Sequence, residues 1–306
     1  MSIAPKHGIH EAIAASIAAH PTTARIGAPL AIDRESAARL LGAMRDIAFP
    51  GFHSLEPTTP GAATAGRGEV EAFVAGHLPA LRLALAECIA AAGRVSGPGS
   101  SDQHASDRVC SEVLEQIPTI RASLAADVEA AYRGDPAARS IPEVILCYPG
   151  IAALTAHRFA HELWIREVPI LPRMLAEIAH SATGIDIHPG AQIGRGVFID
   201  HGTGVVIGET CTIGEGCRIY QGVTLGAKKF ERDADGSLRK GTKRHPTLGA
   251  RVTVYAGATI LGGDTVIGDG SVVAGGVFVT QSVPPGHLVA NQKAQVRVLP
   301  HGEDPA

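Results

Sequence analysis

Three histidines stand where chemistry could be done: His188 in Asp186-Ile187-His188-Pro189, His201 directly after Asp200, and His245 in Lys243-Arg244-His245-Pro246. Taken singly, each reads more readily as a surface or hydrogen-bonded histidine than as a catalytic one. Their spacing changes that reading. His201 falls 15 residues after Asp186, close to one turn of a coil that advances about 18 residues per turn, so the two can be neighbours across adjacent turns. An aspartate beside a histidine fixes its tautomer and stabilises the imidazolium, which is what a general base needs. Arg244 next to His245 sets a planar guanidinium beside an imidazole, suited to gripping a carboxylate or a phosphate with two prongs.

The elements that must carry these residues have two different periods. Up to about residue 180 the apolar positions recur at helical spacing: Leu40, Leu41, Met44 and Ile47, closed by Phe49-Pro50-Gly51; then Val70, Phe73, Val74, Leu78, Leu81 and Leu85; then Ile117, Ile120, Leu124 and Val128. Gly97-Pro98-Gly99-Ser100-Ser101 reads as a linker or long loop. Beyond Gly184 a period of six takes over. Aliphatic residues fall at Ile187, Ile193, Ile199, Ile207, Ile213, Ile219 and Leu225, and again at Leu248, Val254, Ile260, Ile267, Val273 and Val279. Small residues recur four places on, at Val197, Cys211, Cys217, Val223, Ala258 and Ser271. Short parallel strands, three hexapeptides to a triangular turn, satisfy that pattern: each aliphatic residue stacks on its equivalent one turn away, and glycines permit tight corners. The fold class expected is a helical N-terminal domain followed by a left-handed parallel β-helix of hexapeptide repeats.

The breaks in the period mark candidate functional places. Ile199 to Ile207 is a step of eight, with the surplus in Asp200-His201-Gly202-Thr203-Gly204, and Leu225 to Leu248 is a step of 23, a loop extruded from a corner. A repeat has no packing reason to spoil its own register. Between Ala227 and His245 the loop carries seven positive and three negative residues, net +4 in a chain of net charge −3. Its middle, with an Asp235-Gly236 turn, reads as a solvated, mobile loop. His157 and His161 sit one helical turn apart, but Glu162 does not complete a zinc-peptidase motif, so a packed helix face is the better reading. Cys211 and Cys217 hold equivalent repeat positions and read as core-filling rather than redox residues.

Composition limits the function classes. A chain of 306 residues with 45% hydrophobic and 19% charged residues can bury a sizeable core, and a net charge of −3 gives no field for nucleic acid. Aromatics, at 4%, are too few for base-stacking platforms. Five cysteines with no CxxC pair suit a reducing cytoplasm. No apolar run approaches 18 residues, so no spanning helix is expected, and the N-terminus lacks the layout of a secretory signal. Three parts follow: 1–180 helical, with the first ~30 residues a candidate for disorder; 181–290 the coil, with its loop at 227–246; and 291–306 a tail.

TGIDIHPGAQIGRGVFIDHGTGVVIGETCTIG, then YQGVTLGA, KRHPTLG and SVPPG, closely resemble the serine O-acetyltransferase family, across roughly residues 130–290. The long KK…DG…KG insertion is similar to the longer bacterial and protist variants. The resemblance implies acetyl transfer from acetyl-CoA to the hydroxyl of L-serine, as a step of cysteine synthesis. By it, His201 matches the catalytic base and Asp186 its paired carboxylate; Asp135 and Asp200 match the acids that hold the serine ammonium. Arg244 matches the residue that grips the carboxylate, with His245 alongside and Glu209 in a supporting position. Gly226, Ala227, Ala256 and Gly275 match small positions along which the pantetheine arm of acetyl-CoA lies. The resemblance implies no metal and no cofactor beyond acetyl-CoA as co-substrate, a homotrimer or a dimer of trimers with sites between neighbours, and feedback inhibition by L-cysteine. Neither a nucleic-acid partner nor a membrane is implied, and the location expected is cytoplasmic.

The chain departs from the family at its end. Ser282-Val283-Pro284-Pro285-Gly286 is expected to turn the chain away from the coil, and the tail ends in Pro305-Ala306 rather than isoleucine. A tight O-acetylserine sulfhydrylase complex through that tail is therefore not expected. Two other enzymes share the expected coil. One acetylates a sugar or hydroxy-acid, against which Asp135 and Asp200 speak; the other is a zinc-bearing γ-type carbonic anhydrase, which needs three histidines converging on a metal at subunit interfaces. A non-catalytic trimeric scaffold leaves Asp186, His201, Arg244 and His245 together unexplained.

Overall fold

Helical spacing becomes helix wherever the apolar stripe finds a partner. The computed structural model describes residues 7–24, 32–53, 66–95 and 103–292. One unit, ending at Ala31, holds α1 (His7–Ala19) and a short 3₁₀ turn at Pro21–Thr23. From Ile32 on the chain packs as one further unit. It opens with α2 (Arg34–Ala48), where the Asp33 carboxylate accepts the Ser36 N–H at 2.7 Å and so satisfies one of the free amides of the first turn. Leu40, Met44 and Ile47 are buried as the period requires. The next helices are α3 (Arg67–Gly93), α4 (Gln103–Glu115), α5 (Ile117–Gly134), α6 (Ile141–Cys147), α7 (Pro149–Trp164) and α8 (Leu171–Thr183).

Two expectations are corrected on α3. Its stripe is buried from Leu81 on, where α2 and α4 pack against it, but Val70 and Val74 are exposed. An 18-residue window of α3 reaches a mean hydropathy of 1.4, so by length and composition one helix could cross a membrane. Pro79 lies inside that helix, and Leu81, Leu85, Cys88, Ile89 and Ala92 are spent on the protein core. The expected linker at 97–101 and most of the tail lie outside the described residues.

Past Gly184, which closes α8 in the left-handed conformation (φ 71°), the chain winds through three parallel sheets. The first holds β1 (Asp186–Ile187), β4 (Val206–Ile207), β7 (Thr224–Gly226), β10 (Thr259–Leu261) and β13 (Phe278–Val279). The second holds β2 (Gln192–Ile193), β5 (Thr212–Ile213), β8 (Thr247–Leu248) and β11 (Val266–Ile267). The third holds β3 (Phe198–Asp200), β6 (Arg218–Tyr220), β9 (Thr253–Val254), β12 (Val272–Val273) and β14 (Leu288–Val289). Ile187 pairs with Ile207 and Ile207 with Leu225; Leu225 pairs with Ile260 and Ile260 with Val279, so the six-residue period becomes one aliphatic column per sheet. Of the repeat aliphatics only Ile193 is less than fully buried. Val197, Cys211, Cys217, Val223, Ala258 and Ser271 are all at most 1% exposed, which fits their reading as core fillers.

The coil does not stop at Val279. Val283 bridges Ile267 and β14 pairs with β12, so Ser282–Gly286 forms another corner rather than an exit. Trans prolines at 284 and 285 fit a corner, where the missing N–H costs no ladder bond. The loop at 227–246 is a hairpin rather than a structureless excursion: Arg232 and Leu238 pair antiparallel, and the turn between them carries Gly236 at φ 84° and a Ser237 N–H bonded to the Asp235 carboxylate.

Helices and coil are joined by a buried ion pair. Arg158 of α7 donates to both Asp127 oxygens of α5 (2.7 and 2.9 Å), and two further N–H groups reach the carbonyls of Ile193 and Gly194 in the coil. The Val197 N–H donates to the same carboxylate at 3.0 Å. Both carboxylate oxygens and four of the five guanidinium N–H groups are hydrogen-bonded, the kind of pairing under which a buried charge is tolerated.

Candidate active site

Both anomalies in the period fall at corners of the first sheet. The chain arrives there from the third sheet through a leading corner and leaves for the second through a trailing corner.

The leading corner holds the surplus of the eight-residue step. His201 (φ 55°), Gly202 (φ 78°) and Gly204 (φ 77°) all take the left-handed conformation. A non-glycine residue there costs on the order of 1 kcal/mol or more and persists where the surroundings impose it. At Gly202 a side chain would be strained by the positive φ and would force Ile185 to move, since a Cβ would lie 2.4 Å from Ile185 Cδ1. The loop thus projects His201, whose side chain is 71% exposed, with Nε2 at 3.9 Å from Asp200 Oδ1. Asp135, the residue that closes α5, comes to the same corner. Its Oδ2 accepts the Tyr148 hydroxyl at 2.5 Å and its Oδ1 accepts the Ala137 N–H at 2.8 Å. Those donors, the Tyr148 hydroxyl first, hold its carboxyl below the ordinary value, with the field of His201 adding to them. Burial, then the charges of Asp200 and Asp135, push the Tyr220 phenol up, so that ring also belongs to this corner; it stacks on Tyr255 with centroids 5.1 Å apart. Among the described residues Asp135 has no ion pair and Asp200 has only His201, so the corner presents two carboxylates without a fixed cation.

Asp186 lies at the start of β1, beside Val206, on the half-buried face of the first sheet. Its carboxylate gathers with two side chains of α8: Glu177, His180 and Asp186 each bring a ligand-type atom within 4.8 Å of the others. Glu177 is already engaged by Arg173 at 2.6 Å. Among the described residues no hydrogen bond or ion pair joins Asp186 to His201, so the expected dyad is not made within this chain; the carboxylate facing the ring is Asp200. Among the described residues of this chain, that gathering of metal-type donors contains a single histidine.

The trailing corner carries the other group. The hairpin returns there through Lys243-Arg244-His245, and the Arg244 guanidinium bonds the Glu209 carboxylate. His245 is buried, and its Nδ1 accepts the Thr210 N–H at 3.1 Å. Gly208 makes that possible, because a Cβ there would stand 2.1 Å from His245 Cδ2. Burial first, then the Arg244 charge, lowers His245 to about 4. His188 is likewise lowered to about 4, by burial and then by the Arg173 charge. Its ring meets Trp164 edge-on at 4.8 Å. Both imidazoles are therefore neutral near pH 7.

The small residues divide in the same way. Ala256 and Gly275 stack at the leading corner, where a Cβ on Gly275 would lie 3.1 Å from the Ala256 carbonyl oxygen. Gly226 ends β7 and leads with Ala227 into the trailing corner. Asp135, Asp200 and His201 are thus brought together at one edge of the first sheet, and Glu209, Arg244 and His245 at the other. Tyr148 and Tyr220 at the leading corner, and Trp164 at the trailing one, were missed by sequence reasoning. The only sequence signal for the first is a tyrosine set immediately before Pro149-Gly150.

A helical domain followed by a coil of hexapeptide turns in three parallel sheets, with its polar groups at the two corners of one sheet, defines a hexapeptide-repeat β-helix protein. Residues 74–156 match the serine acetyltransferase N-terminal family. A plasmid-encoded serine acetyltransferase of Synechococcus elongatus is 55% identical over 200 residues, 65% of this chain and 61% of its own length. The chain thus spans about three-fifths of that relative. Serine acetyltransferase 1 of Entamoeba histolytica, solved in complex with L-cysteine, superposes with a TM-score of 0.71 at 36% identity, over 85% of this chain and 87% of that one. The Neisseria gonorrhoeae enzyme in complex with serine superposes at 0.54 with 28% identity, over 84% and 97% of the two chains. The chain belongs to the serine acetyltransferase family.

Proposed function

We propose that this protein transfers the acetyl group of acetyl-CoA to the hydroxyl of L-serine, giving O-acetylserine and CoA. The observation that carries the reading is the leading corner: an exposed histidine beside two carboxylates that lack a fixed cation, the complement of an amino-acid ammonium next to a hydroxyl to be deprotonated. Asp135 and Asp200 hold the ammonium, and Arg244, with His245 and Glu209 around it, holds the carboxylate. His201 takes the proton from the serine hydroxyl, and the oxygen attacks the thioester carbonyl. The tetrahedral intermediate collapses, the carbon–sulfur bond breaks, and the CoA thiolate recovers the proton from His201. Asp200 already faces the ring, and Asp186 is the carboxylate that the family resemblance pairs with it. Gly226, Ala227, Ala256 and Gly275 leave room for the pantetheine arm, and no metal or further cofactor enters the scheme.

The two halves of this site stand at opposite edges of one sheet, so one chain does not close it. A second copy placing its trailing corner against the first copy's leading corner does, and repeated around an axis this gives a homotrimer, or two trimers joined by their helices. L-cysteine, which carries the same ammonium and carboxylate, is expected to compete with serine. The five thiols, four of them buried and none paired, suit a reducing cytoplasm. The test is CoA release with L-serine against sugar and hydroxy-acid acceptors, together with His201→Ala. Turnover is expected with serine, and a fall of about 10²–10⁴-fold in kcat for the variant, with acetyl-CoA affinity kept. Near-wild-type turnover of His201→Ala would remove the histidine from the mechanism.

A further inference from the structure

Tyr148 occupies the single residue between α6 and α7. Its N–H closes α6 on the Val144 carbonyl, and its own carbonyl accepts the Ile151 and Ala152 N–H groups that open α7. Pro149 fixes the first helical φ. Gly150 then presses directly on β3: a Cβ there would lie 2.3 Å from the Ile199 carbonyl oxygen, one residue before Asp200. A backbone contact that close leaves no slack, so the tyrosine has a fixed place relative to Asp200 and His201. From that place its hydroxyl donates to Asp135 Oδ2 at 2.5 Å. Asp135 caps the C-terminal end of α5, where its N–H donates to the Ala131 carbonyl, and is half-buried; the other anchor of its side chain is the Ala137 N–H.

Two like charges at one corner repel, and an unanchored carboxylate on a loop turns to solvent or takes a proton. An ammonium, with three N–H donors, needs both carboxylates aimed at one point. The geometry points to Tyr148 as a positioning residue that holds Asp135 aimed at the substrate ammonium, and so sets how well the site selects an amino acid. The inference rests on the functional reading above. It places Tyr148 outside the proton transfer, since its hydroxyl donates to Asp135 and not to His201.

Tyr148→Phe keeps the ring and removes the donor. The expected result is a rise of about ten- to a hundredfold in KM for serine, the worth of a hydrogen bond to a charged group. The inhibition constant of L-cysteine is expected to rise in parallel, while kcat and KM for acetyl-CoA stay within about threefold. The acid limb of kcat/KM for serine is expected to move to higher pH, because Asp135 loses the donor that favours its charged form. The other groups facing Asp135 and Tyr148, namely Asp200, His201, Glu143 and Tyr220 with Arg218, are unaltered. Asp135→Asn is expected to raise KM for serine as well, and adding Tyr148→Phe to it is expected to change nothing more, since the phenol acts only through the carboxylate. Additive effects, a fall in kcat at unchanged KM, or equal rises in both KM values with a lowered melting temperature would each overturn the inference. An active wild type with unaltered Tyr148→Phe kinetics sinks the inference alone; a wild type that does not acetylate serine sinks the functional reading, and the inference with it.

Discussion

Arg244 bonds the Glu209 carboxylate at the trailing corner, and in the proposed reaction the serine carboxylate shares its fork. A guanidinium can serve two carboxylates at once because its five donors lie in one plane; an ammonium point charge cannot reproduce that geometry. Arg244→Lys is therefore expected to raise KM for serine about tenfold or more while KM for acetyl-CoA barely moves, as read by steady-state kinetics with each substrate varied in turn. A rise confined to acetyl-CoA would assign the arginine to the nucleotide phosphates. His201, Asp200 and Arg244 were legible in the sequence because they interrupt a strict period. Tyr148 was not, since a tyrosine after a short helix interrupts nothing. Asp186 was legible as a residue but not in its contacts: the sequence places it one turn below His201, while α8, which supplies Glu177 and His180, comes from outside the repeat.

Between the elements, the Asp127–Arg158 pair fastens α5 and α7 to the coil. Asp127→Ala leaves a buried guanidinium unpaired and is expected to cost roughly 3–5 kcal/mol, read as a lower urea midpoint at unchanged slope. Replacing both partners with apolar residues of similar volume is expected to restore much of that loss. Acid acts on the elements through three imidazoles. His188 and His245 are each lowered to about 4 and His157, fully buried, lies well below its ordinary value of 6.5. For a histidine with a lowered folded value, the unfolded chain binds more protons between the two values. The stability these groups contribute is therefore complete above about pH 6.5 and is lost as pH falls toward 4. Thermal melts across that window are expected to show a drop that shrinks in a His188→Gln, His245→Gln double variant.

For the whole molecule, the proposed split of the site between the corners of two chains predicts complementation. His201→Ala chains keep a good trailing corner and Arg244→Ala chains a good leading one. Unfolded together in equal amounts and refolded, they are expected to regain about a quarter of the wild-type sites, the product of two even chances. A site closed within one chain gives no recovery.

The sequence by itself determined the coil, its register and the two places where that register breaks. A six-residue period is a local signal, in which each position announces its own burial and each surplus residue its own projection. The tertiary structure alone decided which groups meet. Asp135 reaches His201 because α5 ends against the coil, and Tyr148 reaches Asp135 because Gly150 lets α7 touch β3. The coil continues through Ser282–Gly286, and the loop at 227–246 closes into a hairpin, by pairings with chain far away or folded back on itself. Contacts of that kind depend on how helices of one period dock on strands of another, and no spacing along the chain encodes that docking.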